Sequence, residues 1–144
     1  MAGYSKRSLI QKLGIKSGMR IIFFREPKDY AKILGELPEN VTQVSQVRAP
    51  LDFIQFFTTS TQELERIFPK LAKAIAPNGM IWISWPKGSW KTETDLKEDI
   101  VREIGLQNGM VDVKVCAVDE MWSGLKFMFR LKDRNNRMNE FDET

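Results

Sequence analysis

Three short, almost uninterrupted apolar runs constrain this chain more than any other feature: Met19–Phe24, Leu51–Ser60 and Met80–Trp85. Each is too short for a buried helix and too apolar for a strand with one wet face, so each predicts a strand covered on both sides. Helical stretches separate them. Strands that alternate with helices imply a mostly parallel sheet with helices on its faces, because parallel neighbours need a crossover between them.

The helices carry their own signals. Ser5 to Leu13 predicts a short helix with Leu9, Ile10 and Leu13 on one side and Gly14 at its C′ position. Asp29 to Leu34 predicts another. Ser60-Thr61-Gln62-Glu63 has the spacing of a capping box, and Leu64, Ile67, Phe68, Leu71 and Ile75 form one apolar stripe ended by Pro77-Asn78-Gly79. Pro69 should kink this helix or divide it. Asp95-Leu96-Lys97-Glu98 reads as a second capping box, with Leu96, Ile100 and Ile104 on a shared face and Gly105 beyond.

Val41, Val44 and Val47 allow one short strand. After Asn108-Gly109, the runs from Val111 and from Leu125 both have strand composition and flank a turn containing Trp122, Ser123 and Gly124. So brief a connection predicts that the final strand runs antiparallel, at one edge of the sheet. The expected division is a single α/β domain over 1–131 and a polar tail over 132–144, too poor in apolar residues to offset its ordering entropy.

Composition narrows the chemistry. With no His, the chain has no Ser-His-Asp or Cys-His nucleophilic machinery and no imidazole ligand, and its one Cys allows neither an internal disulfide nor a multi-thiolate zinc site. Cys116, inside an apolar run, reads as a small buried hydrophobe. Asp112 and Lys114 share a strand face by period-two alternation, which predicts a local ion pair. No run is long enough to span a membrane and the first residues lack the apolar core of a secretory signal, so a cytoplasmic setting is expected. Lys6, Arg7, Lys12, Lys16 and Arg20 give the first twenty residues an unopposed positive charge. This segment reads as a solvated helix face, so nucleic acid is not the expected partner, and weak nucleic-acid binding through it is kept as a further alternative.

The run from Leu13 to Phe24, LGIKSGMRIIFF, resembles the approach to the first strand of Rossmann-like methyltransferases, and Leu51–Pro86 resembles their fourth strand, the following helix and the fifth strand. VDVKVCAVDE and SGLKFMFR are similar to their closing strand pair. SWPK, TDLKEDIVREIGL and VDVKVCAVDEMWSGLKF further resemble a bacterial family known only as a domain of unknown function. The resemblance implies a three-layer Rossmann-like sheet of the S-adenosylmethionine methyltransferase type and carries no established activity. Residues 25–50 leave room for one intervening strand where the full fold has two, so the sheet should be truncated.

The chain also departs from that pattern. A glycine-rich turn after the first strand lets backbone approach a nucleotide cofactor. Here Arg25-Glu26-Pro27-Lys28-Asp29 stands in its place, and Ser45-Gln46-Val47-Arg48 stands where an acid would grip the ribose. No cofactor is therefore expected, with S-adenosylmethionine reserved for the alternative of a diverged methyltransferase. A non-catalytic module that binds a small molecule or a protein is the preferred reading.

Ligands of open α/β sheets gather outside the carboxyl ends of the strands. The residues placed there are Arg25, Thr58, Thr59, Ser60, Ser84, Trp85, Lys87, Asp119, Glu120 and Trp122. Trp85 or Trp122 would wall a small pocket, with Arg25, Ser60, Lys87, Asp119 and Glu120 as its polar members. Asp95, Asp119 and Glu120 offer oxygen ligands for magnesium, but their spacing is that of ordinary surface acids and no metal is expected. Trp90, a large ring among turn formers, would act as a lid or meet a partner.

Overall fold

The computed structural model describes residues 7–88 and 92–135. Trp90, the positions before Arg7 and most of the tail lie outside these residues. The elements are α1 (Leu9–Leu13), β1 (Arg20–Phe24), α2 (Tyr30–Leu34), β2 (Thr42–Gln43), β3 (Leu51–Phe57), α3 (Thr61–Ala74), β4 (Ile75–Pro86), α4 (Glu98–Gln107), β5 (Met110–Ala117) and β6 (Trp122–Phe129). The six strands form one sheet in the order β2-β1-β3-β4-β6-β5. Neighbours pair in parallel from β2 to β4, and β6 runs antiparallel to both β4 and β5.

This is the expected mostly parallel, three-layer sheet, with one short strand between β1 and β3. One placement differs. The antiparallel strand β6 lies inside the sheet and β5 takes the edge. Leu125 and Phe127 of β6 are fully buried, whereas Val113 and Val115 of β5 are about half exposed at 52% and 48%. Burial therefore selects β6 for the inner position.

Alternate residues of the three apolar runs feed two cores. Ile22, Ile54, Phe56, Ile81, Ile83 and Trp85 face α3 and α4, while Ile21, Phe23, Phe53, Phe57, Met80 and Trp82 face α1 and α2. Trp82 also ties the second layer to the sheet, donating Nε1–H to Leu13 O at the end of α1 across 2.8 Å.

Several local expectations shift. Helix α1 begins at Leu9, because Ser8 is its N-cap and forms the reciprocal capping box with Gln11. Helix α3 continues through Pro69 without a break. The hydrogen bond that Pro69 cannot donate would go to the carbonyl of Glu65, an exposed residue, so water can replace it. Residues Pro77-Asn78-Gly79 do not form a loop: β4 starts at Ile75, and the pairing irregularity between Leu51 and Phe53 absorbs them. Trp122, Ser123 and Gly124 lie within β6, and the turn is made one step earlier, by Val118 to Met121. Residues 131–135 are helical, past the expected domain boundary.

Cys116 is half-buried. Asp112 and Lys114 do not pair, because the strand bulges between them: Asp112 stands opposite Phe127 and Lys114 opposite Lys126, with Val113 as the extra residue. Asp112 therefore turns to the α4 side and accepts from Arg102 Nε at 3.0 Å.

Candidate functional site

The chain reverses its winding direction between β1 and β3. From β1 it passes through α2 to β2 on one side, and from β3 through α3 to β4 on the other. The carboxyl ends of these two strands are the topological switch point, the place where open sheets of this kind bind ligands.

Arg25 is the first residue after β1. Its backbone is left-handed, with φ 60°, a region that glycine enters freely and other residues rarely do. The turn thus has the conformation a glycine would supply but carries a long side chain. That side chain lies over the Phe24 ring, 5.6 Å from its centroid, and its Nη1 forms an ion pair with Glu63 of α3. Glu63 Oε1 also accepts from the Thr58 hydroxyl at 2.7 Å, and Thr58 Oγ1 accepts the Ser60 N–H at 3.3 Å. Arg25, Glu63 and Thr58 therefore bridge the switch point from β1 through α3 to β3.

This bridge explains why the capping box at Ser60 is only half made. Ser60 Oγ accepts from Glu63 N at 3.1 Å, but the Glu63 carboxylate serves Arg25 and Thr58 instead of the Ser60 N–H. The box predicted at Asp95 is not made on its own helix either. Helix α4 starts at Glu98 with Lys97 as an N-cap that makes no side-chain cap. Asp95 Oδ1 instead accepts the Thr61 N–H of α3 at 2.8 Å, and Thr94 Oγ1 donates to Thr59 O at 2.7 Å. The Thr61 N–H, followed by its hydroxyl, holds the Asp95 carboxyl below its usual value. An open cleft of about 470 Å³ lies here, lined by Thr59, Ser60, Glu93, Thr94 and Asp95.

On the α1 and α2 side, a buried polar chain crosses the sheet. Tyr30 OH donates to Gln55 Oε1 at 2.6 Å, and Gln55 Nε2 donates to Ser84 Oγ at 3.1 Å. Gln55 and Ser84 have no exposed surface. Burial pushes the Tyr30 phenol well above the ordinary tyrosine range, against the lowering effect of Gln55. The Tyr30 ring packs edge-on against Phe57, and Phe57 against Trp122.

The residues expected at this edge take separate local roles. Arg25 and Ser60 lie at the switch point. Trp85 is 5% exposed and belongs to the core under α3 and α4. Trp122 is half-buried, edge-on to Phe57. Asp119 organises a turn, with Oδ1 accepting Met121 N at 2.8 Å and Trp122 N at 2.7 Å. The Lys87 N–H donates to Met121 O at 2.8 Å, and Glu120 is exposed in that same turn. Among the described residues, no group of three His, Cys, Asp or Glu side chains is placed to hold a metal, and no helix is long and apolar enough to cross a membrane.

No protein-family model and no curated protein matches the sequence. Solved structures do match in shape. A SAM-dependent methyltransferase from Aquifex aeolicus superposes with a TM-score of 0.58 at 16% identity, covering 85% of this chain and 88% of that one. DhpI, solved with S-adenosylhomocysteine, gives 0.60 at 11% identity over 86% and 83% of the two chains. Magnesium protoporphyrin IX methyltransferase from Synechocystis, also solved with S-adenosylhomocysteine, gives 0.55 at 10% identity over 85% and 78%. The fold is the Rossmann-like fold of S-adenosylmethionine-dependent methyltransferases. At such low identity the likeness extends to the fold alone.

S-adenosylmethionine fits poorly with the residues at the switch point. The glycine conformation after β1 is held by Arg25, whose side chain crosses the crevice to Glu63. Strand β2 ends in Gln43 and is followed by Val44 and Ser45, with no carboxylate for a ribose.

Proposed function

We propose that this chain is a methyltransferase-like domain that does not use S-adenosylmethionine and serves as a non-catalytic module binding a small ligand or a protein. The Arg25 to Glu63 ion pair across the switch point carries this reading. The paired side chains span the crevice where backbone would have to approach a nucleotide cofactor, and a long side chain stands where the turn would need a glycine. With no His, the chain has no imidazole to act as a general base.

A diverged methyltransferase is the second reading, favoured by the fold likeness and by the open cleft beside Ser60 and Asp95. Calorimetric titration with S-adenosylmethionine and S-adenosylhomocysteine separates the two. The proposal expects no saturable heat for the unaltered chain with either compound. Saturable binding of either compound with a Kd of about 10 μM or tighter would overturn the proposal and favour the diverged methyltransferase.

A further inference from the structure

The sheet face toward α1 gathers cations well away from the switch point. Lys114 of β5 and Lys126 of β6 are direct cross-strand partners, an arrangement of like charges that costs stability. Lys114 Nζ reaches back to donate to Lys12 O at 3.4 Å. Lys126 Nζ lies against Gly14, 3.9 Å from where a Cβ on that glycine would stand. Lys12 belongs to α1, and Lys16 follows Gly14 by two residues. Among the described residues, none of the four forms an ion pair with a carboxylate. Burial first, and then the charges of Lys114 and Lys16, push the Lys126 ammonium below the usual lysine range.

The bulge in β5 creates this imbalance. In a regular strand Asp112 would share the face of Lys114 and neutralise it. The extra residue, Val113, sends Asp112 to Arg102 on the opposite face and leaves Lys114 beside Lys126. Part of the charge has a local use, since Lys114 satisfies a carbonyl at the C-terminal end of α1. A helix end presents only about half a negative charge, so among the described residues Lys12, Lys16 and Lys126 have no carboxylate to compensate them.

We propose that Lys12, Lys16, Lys114 and Lys126 form a binding site for a compact polyphosphate group, either free or at the end of a nucleotide. Lysine ammoniums are point charges with three donors each, suited to phosphoryl oxygens approached from several directions. A carboxylate would neutralise one of the four, whereas a di- or triphosphate carries several negative charges in a small volume. The four lysines come together where the end of α1 meets β5 and β6, instead of following the long track that a nucleic-acid backbone requires. The site is independent of whether the switch point takes S-adenosylmethionine.

Calorimetric titration of the full chain with sodium tripolyphosphate, with ATP and with a short single-stranded oligonucleotide, all at one ionic strength, tests this. Tripolyphosphate should bind saturably, and Lys126→Gln, Lys114→Gln and Lys16→Gln should each weaken it by about tenfold. Lys126→Gln and Lys16→Gln should melt at or above the temperature of the unaltered chain, because each relieves repulsion. Cys116, the chain's single thiol, shares the Lys114 face two residues on. Its reaction with an anionic disulfide reagent should slow about threefold when the site is filled. Tighter binding of ATP than of tripolyphosphate would assign the site to a nucleotide, and equal binding to the polyphosphate group itself. The proposal falls if neither compound binds, if binding survives all three substitutions, if the Cys116 rate does not change, or if only the oligonucleotide binds.

Discussion

Gly105 of α4 lies so close to Phe127 of β6 that a Cβ at this position would fall within the ring-edge atoms Cδ1 and Cε1. Phe127 is fully buried and its ring stands edge-on against Phe68 of α3, so it cannot swing away. The glycine lets α4 sit down on the sheet. Gly105→Ala should gain about 1 kcal/mol of helix propensity and lose about 3 kcal/mol by overpacking, the upper end of the usual cost, for a net loss of about 2 kcal/mol. Urea denaturation measures the loss, and Phe127→Leu in the same chain should recover much of it.

Glu63 and Arg25 should respond unequally to substitution. Glu63→Ala leaves the hydroxyl of Thr58, which is 3% exposed, without its acceptor and should cost about 1 to 3 kcal/mol. Arg25→Gly loses an ion pair whose arginine is half exposed, worth about 0 to 1 kcal/mol, while removing the left-handed strain. Its net effect should lie within about 0.5 kcal/mol of zero. Equal losses in denaturant midpoints would contradict the bridge described here.

The Tyr30, Gln55 and Ser84 chain should behave as a unit. Tyr30→Phe strands Gln55 Oε1 in the core and should cost about 1 to 3 kcal/mol; adding Gln55→Leu should restore part of it. The phenol's raised value also sets a sign. Its stabilising effect is complete below the ordinary tyrosine value of 10.0 and is lost as pH rises toward the folded-state value. Absorbance titration should therefore show one of the two tyrosines resisting ionisation until the chain unfolds in alkali.

Asp95 makes the opposite prediction. Its lowered value means that its contribution is present above the ordinary carboxylate range and lost as pH falls through the depressed value. Asp95→Asn imitates the protonated side chain, so the gap in denaturant midpoint between the two proteins should be open at neutral pH and narrow below about pH 4. A gap that is constant with pH would show that the charge plays no part in holding Thr61.

The sheet and its helical layers were legible because continuous apolar runs and a three-and-four stripe report burial directly, as at Ile54 or Leu64. The half-made caps were not. Spacing placed Glu63 and Asp95 at helix starts, yet each carboxylate found a partner brought near only by folding, Arg25 from β1 and Thr61 from α3. The burial of Trp85 was hidden for a related reason: strand position cannot say which core covers a ring. Gln55 was the overlooked signal, a polar residue inside LDFIQFF that had to find buried partners. The bulge at Val113 left no local trace, since VDVKV alternates as any regular strand would.

That bulge has one more effect. Strand β5 is the sheet's open margin and leaves Val113 and Val115 in water, the kind of border along which another chain could zip. Because the spacing of its amides changes at Val113, an incoming strand can follow the rhythm on one side of that residue but falls out of step on the other. The irregularity that gathers the lysines is thereby also of the kind by which edge strands in general resist pairing with another chain.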